Sequence, residues 1–133
     1  MAGHSMLRNI AHHLSTRGIA VLHMDDRGTR QNTGRYEYAT TADYMQHISV
    51  PFLAINGEKD AMVNAQLNLG TARKLMEHNP HFQPLLLPGL NHLLLPCEKG
   101  TPDEYRSIKA PLSGEVLKAV GEFILNHTPN CTD

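Results

Sequence analysis

Two side chains suited to proton transfer, Asp60 and His92, each follow a short apolar run that ends in a glycine turn. The first run and its turn cover residues 51–57, and the second cover residues 85–89. In a catalytic triad a carboxylate orients an imidazole, and the imidazole takes the proton from a serine hydroxyl. The pattern therefore predicts that Asp60 and His92 are the acid and the base of such a group.

The segment between the two runs has the periodicity of an amphipathic helix, with Asn64 placed to cap its start. Its apolar face is formed by Ala65, Leu69, Ala72 and Met76. A strand, helix, strand unit joins parallel strands and brings both of their carboxyl-end loops to one edge of the sheet. We therefore expect Asp60 and His92 to lie side by side.

The part of the chain before this unit is predicted to begin with a helix. Ser5 is placed as its N-cap and Gly18 stands just beyond its end. A strand buried on both faces is expected at residues 19–24, because its apolar run is nearly continuous. Polar, turn-forming residues 29–38 and a weak helix at 39–47 then lead to the next strand.

The last part of the chain continues the alternation with a strand at residues 83–87. A long surface loop at 91–112 follows, with a short helical turn at 103–108, because prolines and glycines interrupt it. Ser113 is placed to cap a final helix. The apolar face of that helix is formed by Val116, Leu117, Val120, Phe123 and Ile124. The whole pattern predicts the α/β class, a mainly parallel sheet of few strands flanked by helices.

The composition limits the possible functions. The 133 residues fit one domain, which we divide into an N-terminal helix and strand part, 1–44, and an acid–base part, 45–133. A net charge of −1 without a basic stripe makes nucleic acid an unexpected partner. No apolar run approaches the roughly 20 residues that span a bilayer, and no signal peptide pattern is present. We therefore expect a cytoplasmic protein that is not inserted in a membrane.

The cysteines and histidines of the chain do not indicate a metal site, a cofactor or a disulfide. Cys97 and Cys131 have neither metal nor redox spacing. Nine histidines are present, but no His-Glu-x-x-His motif occurs, and the neighbours His12 and His13 point to different faces of a helix. We predict no metal site and no cofactor.

Three stretches, read in order, resemble the α/β-hydrolase superfamily: residues 18–28, 50–60 and 87–93. The nearest subgroup is the bacterial carboxylesterases related to serine aminopeptidases and dienelactone hydrolases, and residues 100–105 and the last helix are also similar to it. The resemblance implies that Asp60 is the triad acid after the penultimate strand and His92 the base after the last strand. It also implies a small ester or amide as substrate.

The chain departs from this family where the nucleophile should be. The strand that carries Asp60 follows Tyr44 almost at once, without the serine elbow Gly-x-Ser-x-Gly, its neighbouring elements or the cap region. Residues 3–7 contain part of an elbow around Ser5, but Leu7 stands where a small residue is required. We interpret Ser5 as a helix cap and the chain as a truncated α/β-hydrolase fold.

Several alternatives remain open at this level. Asp60 could be a solvated loop carboxylate or a helix cap, and Glu58, Lys59 and Arg27 are most simply solvated loop charges. A histidine and aspartate without a serine and oxyanion donors have no covalent route, so an isolated hydrolase-like chain should be inactive or very weak unless another chain complements it. The alternatives are a non-catalytic α/β module that forms oligomers or binds a partner, and a truncated or rearranged reading frame with no independent role.

Overall fold

A strand, helix, strand unit forms the centre of the computed structural model. The structure describes residues 3–18 and 41–128. Side chains are described from residue 8 in the first range and from residue 43 in the second. The helices are α1 (Gly3–Ser15), α2 (Thr41–Met45), α3 (Ala65–Leu75) and α4 (Gly114–His127), and the strands are β1 (Phe52–Gly57) and β2 (Phe82–Leu87). A short 3-10 helix lies at Glu104–Arg106. The α/β class predicted from the sequence is confirmed for these ranges.

Some predicted features lie outside the described residues. They are the strand at 19–24, the charged loop at 25–28 that contains Arg27, the polar link at 29–38 and Cys131. Within the described ranges the sheet has two parallel strands, and α3 connects them. No helix in those ranges is long and apolar enough to cross a bilayer.

The two strands pair in parallel from Phe52 opposite Phe82 to Gly57 opposite Leu87. Side chains alternate between the faces of a strand, so each strand contributes to two cores. On one face, Phe52 and Phe82 lie with ring centroids 6.1 Å apart and pack against the buried side chains of α2 and α3. On the other face, Leu87 packs with Val116 of α4 in a second buried cluster. Helices therefore cover both faces of the pair.

Pro84 defines the outer side of β2. The N–H groups of Phe52 and Glu58 donate to the carbonyl oxygens of His81 and Leu87, so the odd-numbered residues of β2 direct their backbone groups toward β1. The backbone groups of even-numbered residues then face away from β1. Pro84, which has no N–H, is one of these, and proline is tolerated in a sheet at such an outer edge.

The predicted caps are confirmed at two of the three helices. Asn64 Oδ1 accepts from the N–H of Leu67 at 2.9 Å at the start of α3, and Ser113 Oγ accepts from the N–H of Glu115 at 3.3 Å at the start of α4. The prediction for Ser5 is wrong, because α1 begins at Gly3 and already includes Ser5. The pattern of apolar residues fixes the face of a helix more sharply than its first residue.

A buried asparagine that the sequence analysis did not single out connects the starts of the two strands. Asn79 is 5% exposed, and its Nδ2 donates to the carbonyl oxygens of Ile48 at 3.1 Å and Val50 at 2.8 Å. Its Oδ1 accepts from the N–H of His81 at 2.9 Å. The chain entering β1 is thereby held beside the chain entering β2.

Candidate active site

Asp60 and His92 meet at the carboxyl-end edge of the sheet. His92 Nδ1 lies 2.8 Å from Asp60 Oδ2, a distance typical of a charge-assisted hydrogen bond. Asp60 follows β1 and His92 follows β2, so the proximity expected from the strand, helix, strand pattern is confirmed. The catalytic role of the two residues remains a prediction.

The turns that carry the pair are attached to each other through their backbones. The N–H of Glu58 donates to the carbonyl oxygen of Leu87 at 2.8 Å, and that of Lys59 to Leu90 at 2.9 Å. A Cβ atom at Gly57 would clash with the carbonyl oxygens of Leu90 and the residue after it. Glycine is required at this position because the two loops approach so closely.

Asp60 is neither solvated nor a cap of α3. Its side chain is 2% exposed, and only its backbone reaches the surface. Oδ1 accepts from the N–H groups of Met62 and Val63, both at 2.9 Å, while Oδ2 faces His92. The cap of α3 is Asn64. Three donors therefore fix the orientation of the carboxylate.

The carboxylate of Asp60 is kept ionised by these donors. Burial by itself raises the pKa of Asp60, but the hydrogen bond with His92 and the backbone bonds from Val63 and Met62 together outweigh burial. The pKa of Asp60 therefore lies below its ordinary value of 3.8. An ionised carboxylate is the form that accepts the Nδ1–H of an imidazole and stabilises the imidazolium.

His92 is accessible, unlike its partner. Its side chain is 40% exposed, and Asp60 is its hydrogen-bond partner within the described ranges. Because an ionised carboxylate can only accept, Nδ1 is the protonated nitrogen of the neutral ring, an assignment that follows from the hydrogen bond. This tautomer leaves the lone pair on Nε2 for a reacting group.

Asn91 organises the loop that presents His92. It is 0% exposed, and its Oδ1 accepts from the N–H groups of Leu93 at 2.9 Å and Leu95 at 3.1 Å. Leu94 adopts a left-handed conformation with φ of 57°, which a non-glycine residue rarely does. Sequence reasoning missed this role of Asn91, although an asparagine in a Pro-Gly turn region is the available signal, since its side chain readily bonds nearby backbone.

The loop at residues 97–106 packs against the same turn. Lys59 Nζ donates to the carbonyl oxygen of Glu98 at 2.9 Å, and a Cβ at Gly100 would clash with the backbone of Lys59. Glu104 accepts from the N–H groups of Glu98, Lys99 and Gly100 at 2.9–3.1 Å. These backbone bonds hold the pKa of Glu104 below its ordinary value. The loop is thereby fixed beside Asp60.

Glu58 and Lys59 are exposed, as predicted, but they are not merely solvated. Glu58 Oε2 accepts from the N–H of Gly89 at 3.1 Å, which links the turn after β1 to the turn after β2. Lys59 anchors the loop described above. A small open pocket of about 190 Å³ borders Asp60 and is lined by Glu58, Asp60, Asn64, Ala65, Gln66 and Leu86.

Within the described side chains, no serine, threonine or cysteine is hydrogen-bonded to the His92 ring. Ser107 Oγ donates to the carbonyl oxygen of Glu104, Ser113 caps α4, and Cys97 Sγ donates to the carbonyl oxygen of Gly89. Burial raises the pKa of the Cys97 thiol, which disfavours a reactive thiolate. The described part of the chain also contains no group of three His, Cys, Asp or Glu side chains that could hold a metal ion.

Comparison with known proteins gives no match: no family model, no curated protein and no solved structure matches the chain. The resemblance to α/β-hydrolases therefore rests on the residues quoted above. The chemistry of the site follows from its own geometry, above all from the bond between Asp60 and His92.

Proposed function

We propose that this chain is an α/β-hydrolase-family protein, esterase-like in its chemistry, that carries the acid and the histidine of a Ser-His-Asp triad. The observation that carries the proposal is the 2.8 Å bond between His92 Nδ1 and Asp60 Oδ2, formed by loops after adjacent parallel strands. The orientation of the pair supports it further, because the acid is buried and the base is accessible, as proton transfer to a substrate requires.

In the proposed mechanism, Asp60 holds His92 in the tautomer with a free Nε2. The oxygen of a hydroxyl group or water attacks the carbonyl carbon of an ester while Nε2 takes the proton from that oxygen. Nε2 then gives the proton to the leaving alcohol. The carboxylate stabilises the imidazolium that exists between these steps. Its lowered pKa keeps Asp60 in the form needed throughout.

The absence of a serine elbow from the sequence determines how fast the isolated chain is expected to cleave esters. A triad accelerates ester cleavage through a serine nucleophile and oxyanion donors as well as through its base. The sequence contains no Gly-x-Ser-x-Gly turn. We therefore propose that the isolated chain is at most a weak esterase toward small esters or amides and that full activity requires a complementing chain that supplies the serine.

Hydrolysis of p-nitrophenyl acetate tests this proposal. The purified protein should show slow turnover that falls in His92→Gln and Asp60→Asn and that Ser5→Ala leaves unchanged. His47→Gln is the matched control, because it removes an exposed histidine outside the site. Its loss of turnover measures how much hydrolysis an ordinary exposed imidazole contributes. A fluorophosphonate probe should label no serine.

Two results would contradict the proposal. Robust turnover that is lost in Ser5→Ala, together with probe labelling of Ser5, would show that the nucleophile is present in this chain. Slow turnover that falls equally in His92→Gln and His47→Gln would show that Asp60 and His92 contribute nothing beyond an exposed imidazole.

A second candidate function, a module that assembles with a copy of itself, is favoured by exposed apolar side chains. Val50 is 63% exposed, Met62 60%, Leu67 70% and Leu125 56%. Exposed apolar side chains of this size mark a contact surface where they lie in one contiguous patch. Light scattering across a range of concentrations tests this candidate, which predicts a dimer or larger species; a monomer at the highest concentration would exclude it.

A further inference from the structure

Tyr105 carries a hydroxyl that the site described above does not yet use. The buried side-chain polar atoms without a hydrogen-bond partner in the described ranges all lie between residues 91 and 105, and they are Asn91 Nδ2, Thr101 Oγ1 and Tyr105 Oη. Leaving a buried polar group unpaired destabilises a protein, so such groups normally find a partner close by. The Tyr105 hydroxyl is one of these unpaired groups.

The backbone around Tyr105 is held next to that pair. Tyr105 lies in the 3-10 helix Glu104–Arg106, and the Glu104 carboxylate fixes the preceding loop through three backbone N–H groups. The same loop is attached to Lys59, the residue before Asp60, through the Lys59 ammonium and the close approach of Gly100. The backbone that carries Tyr105 is therefore attached to the turn that carries Asp60.

The electrostatic surroundings of the hydroxyl agree with this placement. Burial raises the pKa of Tyr105, and the negative charge of Asp60 raises it further, whereas the backbone N–H of His92 acts in the opposite direction. The hydroxyl thus lies near both residues, but neither contact is a well-formed hydrogen bond. A neutral phenol is both a donor and an acceptor, so it can serve a carboxylate and an N–H together.

We propose that Tyr105 is a positioning residue for the pair: its hydroxyl donates to the Asp60 carboxylate and accepts from the backbone N–H of His92. Oδ2 of Asp60 accepts one bond, from His92, and retains a lone pair for this donor. The bridge would hold the carboxylate and the histidine loop at a fixed distance. This inference rests on the proposed function, because it assigns Tyr105 to the same acid–base pair.

The side-chain ¹⁵N resonances of His92, measured by NMR at a pH where the ring is neutral, test the proposal. They report the fraction of the ring protonated on Nδ1, and His92→Gln identifies them. Asp60→Asn should lower that fraction strongly, because an amide favours the opposite tautomer. Tyr105→Phe should lower it in the same direction by a smaller amount. Thr101→Val, which removes a buried hydroxyl from the same loop, should leave it unchanged.

Thermal unfolding supplies a second measurement. If the Tyr105 hydroxyl is bonded to the pair, Tyr105→Phe should lower the Tm by about 3–6 °C. The loss should be smaller in the Asp60→Asn background, because that substitution has already replaced the charged acceptor and leaves only the bond from the His92 N–H at full strength. An idle buried hydroxyl behaves differently, since its removal leaves the Tm unchanged or raises it.

The outcomes separate this inference from the proposed function. Unchanged His92 resonances and Tm in Tyr105→Phe, with a strong change in Asp60→Asn, would overturn the role of Tyr105 and leave the pair intact. A change in Thr101→Val as large as that in Tyr105→Phe would also overturn it, as a general effect on the loop. His92 resonances that do not respond to Asp60→Asn would refute the pair itself and this inference with it.

Discussion

Asp60 shows how a loop carboxylate is prepared for acid–base work. The two N–H groups of Met62 and Val63 occupy Oδ1 and leave Oδ2 for His92. The carboxylate needs no reorganisation when the imidazole gains a proton, which is the condition for electrostatic stabilisation to be effective. The same arrangement makes Asp60 part of the stability of the fold.

The pH dependence of unfolding should report this contribution. Because the folded pKa of Asp60 is lower than its ordinary value of 3.8, the ionised carboxylate stabilises the protein above that value, and this stability is lost as the pH falls through the folded pKa. Asp60→Asn should reduce the free energy of unfolding at pH 7 by about 1–3 kcal/mol. Urea unfolding at several pH values should show the difference shrinking below pH 3.8.

His92→Gln refines that experiment, because it removes the imidazole and retains both backbone donors to Oδ1. It should leave part of the acid-dependent stability in place. A difference between wild type and Asp60→Asn that stays constant from pH 7 to pH 3 would contradict the lowered pKa of Asp60.

Gly57 allows a second test at the scale of one residue. Gly57→Ala places a Cβ against the carbonyl oxygens of Leu90 and Asn91, which are backbone atoms and cannot move independently. It should lower the free energy of unfolding by more than about 2 kcal/mol. Gly70→Ala in α3 is the matched control: nothing lies within 4 Å of its new Cβ, and it should raise stability by about 0.5–1 kcal/mol.

Chemical denaturation of the two glycine variants measures both effects. Equal destabilisation by the two substitutions would mean that the loops after β1 and β2 do not approach each other as closely as described. Hydrolysis of p-nitrophenyl acetate should fall only in Gly57→Ala, because only that turn carries Asp60.

At the residue scale, the sequence predicted the positions whose signal is local. Asn64 and Ser113 precede apolar periodicity, and Asp60 and His92 follow short apolar runs. Asn79 could not be found in this way, because its partners are distant in the chain. For Asn79 those partners are the backbone at Ile48 and Val50, about thirty residues earlier.

At the element scale, the alignment of β1 and β2 depends on Asn79. Asn79→Ala leaves the carbonyl oxygens of Ile48 and Val50 without this donor and should cost about 1–3 kcal/mol of stability. Asn68→Ala is the control, because Asn68 is exposed and its Nδ2 donates only to the Asn56 side chain at 2.9 Å. Its effect should stay within about 0.5 kcal/mol.

Amide hydrogen exchange shows where Asn79→Ala acts. The protection of β1 and β2 should fall while that of α4 is largely retained, because Asn79 joins the strand starts and has no bond to α4. Loss of protection that is uniform along the chain would indicate a global role and contradict a specific link between the strands.

The elements themselves were largely accessible from hydrophobic periodicity. The predicted helix after Asn64 buries the expected face, with Leu69 and Met76 at 4% and 1% exposure. The strand predicted at 83–87 begins one residue earlier, at Phe82. The start of α1 was misplaced at Ser5, because a serine near the beginning of a helix is a signal for a cap but not proof of one.

At the scale of the whole molecule, the two buried clusters lie on opposite faces of the strand pair. One joins β2 to α4 around Leu87 and Val116, and the other joins the strand starts to α2 and α3 around Met45 and Met76. The site lies at the carboxyl ends of the strands, where only loops meet. The hydrophobic periodicity predicts that both faces of the strand pair are buried. It does not predict how the loop at 97–106 packs against Lys59, because that packing depends on contacts between residues distant in the chain.

Pro84 limits how many strands can be added to the sheet. Because Pro84 removes one backbone donor from the outer side of β2, addition of a further strand to the described sheet is disfavoured on that side and favoured along β1. Two copies that paired through their β1 strands would form one continuous sheet with β2, and therefore Pro84, at each outer edge. Such pairing would be self-terminating, so any association through the sheet should stop at two copies and not continue into fibres.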